Sequence, residues 1–243
     1  MSKKRINMKL DPNNQNSQPS AITATNTGKA PIETSDDYQI KWYEIGDENP
    51  YNADILDIRG LTLNMVATTN NKAVAEQFFA NRSSKGKQFE FVEIENSIKY
   101  KSNIVYPYKG IDLRGAVFKA DSMEVKWDIY AYYGWLYFVK SWTAELIYKV
   151  HFIKGVDTFI LDEIITASID KIATTTEEKE TLAAQNVHSI MQTHLMGCVY
   201  PYKIPEMMRN MPEKNIALHM FAQFGKKATI ATFANVLDLQ FSK

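Results

Sequence analysis

The stretch WDIYAYYGWLYFVKSWTAELIYKVHF, running from Trp127 to Phe152, decides the fold: ten of its 26 residues are aromatic, and three of the chain's four tryptophans lie in it. Its period is two. Met123, Val125, Trp127, Ile129 and Ala131 alternate with Glu124, Lys126, Asp128, Tyr130 and Tyr132, the pattern of a strand with one face on a core and the other amphipathic or wet. Trp135 to Trp142 is apolar or aromatic except at Lys140 and Ser141, as expected of a strand covered on both faces or lying mid-sheet. Tyr133-Gly134 marks the reversal, since glycine supplies the positive φ of tight hairpin turns. Leu146, Tyr148, Val150 and Phe152 then alternate with Glu145, Ile147, Lys149 and His151. The reading is an antiparallel meander of three strands.

Outward from the meander, Tyr38 to Ile45 and Ala53 to Thr68, bent at Gly60, read as strands. Asn70 and Asn71 can cap a short helix from Lys72 to Ala80, with Val74, Phe78 and Phe79 as its apolar stripe. Arg82 to Lys87 reads as a loop, and Gln88 to Ile94 with Ser97 to Tyr106 as a second hairpin. Short strands are expected at Gly115 to Lys119 and Val156 to Ile165. Glu177, Glu178 and Glu180 suit the positive end of a helix macrodipole. That helix should run from about Glu177 to Met196, carry Leu182, Val187, Ile190, Met191, His194 and Leu195 near one face, and end at Gly197. Asn215 to Phe224 and Ala228 to Phe233 frame Gly225-Lys226-Lys227 as a final hairpin. The elements together predict an α+β fold: a large, mainly antiparallel sheet carrying one long and one short helix.

Residues 1–36 are rich in Asn, Ser, Thr, Gln and Lys and read as a disordered tail, because so little apolar surface cannot offset the entropy of ordering. Residues 37–243 then make a single domain. With 28 acidic and 28 basic residues in 243, no global field gathers nucleic acid or an anionic membrane. One cysteine, Cys198, excludes an intramolecular disulfide and a multi-cysteine zinc site and suits a reducing compartment. No secretory leader or run of about 18 apolar residues is visible, so a cytoplasmic protein is expected.

Two short repetitions stand out. Val105-Tyr106-Pro107-Tyr108-Lys109 recurs unchanged as Val199-Tyr200-Pro201-Tyr202-Lys203, and Asp57-Ile58-Arg59-Gly60 resembles Asp112-Leu113-Arg114-Gly115. Proline removes a donor and extends the residue before it, so Tyr106, Tyr108, Tyr200 and Tyr202 are read as paired rim loops able to hold a partner. Asp57 and Asp112 beside Arg59 and Arg114 suggest an anion-binding or acid-base cluster if their strands meet; an ion-pair network is the structural reading.

His194 and Cys198 stand four apart, the spacing at which an imidazole can activate a thiol on one helix face, although Gly197 interrupts the helix between them. Glu145, an acid amid aromatics, becomes a general-acid candidate if enclosed, because desolvation raises its pKa. His188 and His194 sit roughly 120° apart on a helical wheel, the HExxH spacing is absent, and no metal site is expected. No Walker loop or GxGxxG is present, and no cofactor is expected.

These readings favour a non-enzymatic, bacterial-type accessory or immunity-like protein that grips another protein through an aromatic sheet face, with Tyr130 and Tyr132 foremost. A hydrolase or transferase built on Asp57, Asp112, Glu145, Arg59 and Arg114 is the alternative. A self-associating structural subunit is the third reading.

Overall fold

A computed structural model describes residues 38–107, 113–167 and 175–240; the expected tail, Tyr108 and Asp112 lie outside these residues. The first half contributes β1 (Lys41–Tyr43), β2 (Ile55–Asp57), the single turn α1 (Arg59–Thr62), α2 (Lys72–Ser83), β3 (Ser97–Pro107) and β4 (Gly115–Phe118). There follow β5 (Trp127–Tyr132), β6 (Trp135–Lys140), β7 (Leu146–Lys154), β8 (Thr158–Ala167), α3 (Thr176–Ile190), β9 (Tyr202–Lys203), α4 (Glu213–Phe224) and β10 (Ile230–Thr232). The architecture is α+β. One sheet is antiparallel with six strands in the order β3-β8-β7-β6-β5-β4, and the other has four in the order β1-β2-β10-β9, antiparallel except between β9 and β10.

The aromatic stretch forms β5, β6 and β7 as expected, with Tyr132 opposite Trp135 across the Tyr133-Gly134 turn. Strand β6 is flanked by β5 and β7, which accounts for its near-continuous apolar run. Period two sorts the rings. Trp127, Ile129, Leu136, Phe138, Tyr148 and Val150 join the main core, where α3 and α4 deliver Ala183, Val187, Ile190, Ile216 and Met220. Tyr130, Tyr132, Tyr137 and Val139 form a separate cluster on the other face.

Helix α2 is capped by Asn71, whose side chain accepts from Ala73 N and Val74 N. Of its expected stripe Phe78 is buried, but Phe79 is 64 % exposed. Helix α3 starts on a capping box between Thr175 and Glu178 and continues into a π-turn, Met191–Leu195. The reciprocal hydrogen bonds satisfy two of its unpaired first-turn donors.

Three expectations are corrected. The chain after Asp57 turns helical instead of continuing as a strand: Ile58 O accepts both Thr62 N at 2.9 Å and Thr62 Oγ1 at 3.1 Å. Gly60 permits this turn, since a Cβ there would stand 1.6 Å from Tyr38 O. Secondly, Gln88 to Ile94 is no hairpin strand. Lys87–Phe89 is a 3₁₀ turn, and β3 pairs along its length with β8. Thirdly, Asn215 to Phe224 is helix: Ile216, Ala217, Met220, Phe221 and Phe224 are its buried positions, a 3.6-residue stripe that reads as an apolar run when its phase is ignored. Gly225, at φ 71°, ends α4 pressed against Glu124, whose carbonyl a Cβ would meet at 1.8 Å.

Candidate functional site

The even-numbered face of β5 is neither wet nor open. Gly86, at φ +78°, lies so close to the Tyr130 ring that a Cβ would stand 2.1 Å from its Cδ1. Phe89 stacks on the same ring with centroids 5.3 Å apart, and Tyr132 Oη donates to Lys85 O at 2.5 Å. Beneath this cover Asp128, buried, accepts from Ala120 N at 2.8 Å, Lys119 Nζ at 2.5 Å and Tyr130 Oη at 3.2 Å. Lys119 also donates to Asn81 O, fastening α2 to the sheet. Burial, then the Asp128 charge, drives the Tyr130 phenol's pKa well up. Tyr130 and Tyr132 are 1 % and 7 % exposed, so the expected binding platform is a packed interior surface.

The aromatic surface that does face outward lies beside it. Tyr133 and Phe91 are 68 % and 71 % exposed and stack at 5.1 Å with their planes 20° apart. Both occupy left-handed backbone, φ 50° at Tyr133 and 63° at Phe91, which a bulky residue adopts at a cost. Tyr133 takes the first turn position of a two-residue hairpin, where Asn, Asp or Gly is favoured. Next to the pair opens a concavity of about 460 Å³ whose walls include Leu113, Arg114, Tyr132, Phe152 and Lys154. Ile153 and Val156, 48 % and 93 % exposed, add apolar surface at the neighbouring β7–β8 end. Tyr133 before a glycine carried a sequence signal, an aromatic in a turn position suited to small polar residues. Phe91 carried none, because its place depends on a loop docking on a distant strand.

The repeated pentapeptide is structural at the tyrosines described. Tyr106 in β3 and Tyr200 before β9 both pack on His188 of α3, with ring centroids 5.6 and 5.0 Å away, and Tyr106 Oη shares a 2.8 Å hydrogen bond with His188 Nδ1. Tyr202 Oη bonds Thr193 Oγ1 at 2.6 Å, and Ser189 Oγ donates to Pro201 O at 2.7 Å. All three tyrosines are buried; they clamp α3 between the sheets and form no rim for a partner.

The expected catalytic groups are dispersed. His194 is buried edge-on to Phe118, with Thr193 Oγ1 at its Nδ1, whereas Cys198 is exposed. Burial depresses the His194 pKa to about 3 and the His188 pKa to about 4, so both rings are neutral in the fold. Asp57 and Arg59 form a forked pair at 2.5 to 3.0 Å, the network reading. Glu145 is exposed between β6 and β7, and Arg114 lines the concavity at the Gly134 end. The length of β6, about 20 Å at about 3.3 Å per residue, separates those two ends. Glu145 therefore stands apart from Arg114, and neither Asp57 nor Arg59 lines the concavity that Arg114 borders. Among the described residues no group of three or more His, Cys, Asp or Glu is placed to hold a metal, and no helix is long and apolar enough to cross a membrane.

A second, tighter cleft of about 220 Å³ opens at the Lys140 end of the meander, between the six-stranded sheet, α3 and α4. Trp127, Lys140, Tyr148, Lys203, His219 and Phe224 contribute to its walls. Lys140 stands 4.0 Å over the Trp127 ring and donates to Gln223 O at 2.9 Å. Burial lowers its pKa to about 8, and lowers those of Lys203 and His219 too. Lys140 was visible in the sequence as the polar interruption of an apolar strand; Lys203 and His219 come together with it only through packing. No family model, curated protein or solved structure matches this chain.

Proposed function

We propose that this chain is a non-enzymatic protein-binding protein, and that its contact surface is the Tyr133 end of the six-stranded sheet. One observation carries the reading: two stacked aromatic side chains are held outward on left-handed backbone at Phe91 and Tyr133. Exposed rings on strained backbone weaken the isolated chain and gain value when a partner covers them, and flat, rigid aromatics dominate contact energies at interfaces. The adjoining concavity and Arg114 give such a partner a recess and a cation at its margin. Scattering of the described carboxylates and arginines counts against the hydrolase or transferase alternative.

The test compares wild type with Tyr133→Asn and Phe91→Ser as immobilised baits in extract of the source organism. A defined protein held by wild type and reduced at least tenfold by either substitution, with unchanged circular dichroism, is the expected result. Equal retention by all three baits overturns the assignment of this surface. Light scattering of wild type against Tyr133→Asn separates a foreign partner from a second copy of the same chain.

A further inference from the structure

The geometry points to a small-ligand site in the Lys140 cleft, independent of the Tyr133 surface, that takes a small aromatic carboxylate. Two features define that chemistry. The walls are mainly apolar and aromatic, with Trp127, Tyr148 and Phe224 around a cavity of about 220 Å³, a size suited to one flat ring with a polar group. The charged groups are also of one sign: Lys140 and Lys203 line the cleft beside the His219 ring, which burial keeps neutral, and the uncharged Thr166, Asn186 and Gln223, and among the described residues no carboxylate lines it. Glu145 acts on Lys140, and Glu206 on Lys203, from outside the lining.

The protein itself offers these cations weak compensation. Lys140 has the Gln223 carbonyl and the Trp127 face, and Lys203 donates to Phe233 O. A carbonyl satisfies one hydrogen but does not neutralise the charge, and with Glu145 and Glu206 outside the cleft the desolvation of these ammoniums is only partly offset. A ligand carboxylate would supply the counter-charge while its ring covers the aromatic wall, the division of labour expected of a small-molecule pocket. Inorganic phosphate would satisfy the charge but leave the apolar wall uncovered.

Competition labelling tests this on the wild-type chain. Acetic anhydride at pH 8 should acetylate Lys140 and Lys126, both held near a pKa of about 8 by burial. Only Lys140 lines the cleft. Millimolar benzoate should slow acetylation of Lys140 at least threefold and leave Lys126 unchanged; benzamide and phosphate should protect neither. Benzoate at ten times its Kd should also raise the melting temperature by about 3–6 °C, a rise absent in Lys140→Met. Unprotected Lys140, or protection by benzamide or phosphate equal to that by benzoate, overturns the proposal. The labelling decides even where Lys140→Met fails to fold.

Discussion

At the scale of single residues, the backbone angle at Tyr133 separates stability from binding. A tyrosine at φ 50° costs energy that asparagine, tolerant of left-handed geometry, largely avoids. Tyr133→Asn should therefore stabilise the isolated chain by about 1 kcal/mol and raise its melting temperature by about 2–4 °C. Calorimetry on wild type and variant checks it; a lower melting temperature in the variant would show that the exposed stack with Phe91 outweighs the strain. Lys140 obeys a related logic. Replacing a partly buried ammonium by the apolar methionine removes a desolvated charge, so Lys140→Met should match or exceed wild-type stability at pH 7.

At the scale of elements, the segment from Ser84 to Phe91 turns one face of the meander into interior. It does so through Gly86 under Tyr130, Phe89 on the same ring and the Lys85 carbonyl at Tyr132. Gly86→Ala adds a Cβ 2.1 Å from a ring atom at a φ of +78°, and the ring is boxed in by Asp128 and Lys119. The substitution should cost about 2 kcal/mol or more, measured as a drop in the urea midpoint. It should also increase hydrogen exchange at the amides of 84–93. A midpoint equal to wild type would mean that the segment is not anchored there. Elements also show where period alone misleads. The stripe Ile216, Ala217, Met220, Phe221, Phe224 is helical in phase but short and uniformly apolar enough to pass for a buried strand, the ambiguity inherent in such runs.

At the scale of the whole molecule, His188 is the junction: Tyr106 reaches it from the six-stranded sheet, Tyr200 from the chain entering the four-stranded one. Its pKa of about 4 and that of His194, about 3, lie below the ordinary value of 6.5 because burial disfavours the cation. The unfolded chain therefore binds these two protons first as pH falls. Their contribution is intact above about pH 6.5 and is lost on descending towards 4 for His188 and 3 for His194, by roughly 2–3 kcal/mol per pH unit for both together. Urea titrations at pH 7, 6, 5 and 4 measure it. His188→Gln should flatten the decline by about half, and an unchanged slope would remove His188 from the account. The sequence by itself determined the meander, its turn, the Asn71 cap of α2 and the α+β class, because alternation, glycine and capping chemistry act over a few neighbouring residues. It also exposed the repeated pentapeptide, but not that both copies meet on one histidine. Tertiary structure alone decided that Tyr130 and Tyr132 are covered, that Phe91 and Tyr133 stand exposed together, and that Lys140, Lys203 and His219 share a cleft. Burial and encounter between distant segments depend on how elements stack, and no local period in the chain encodes that.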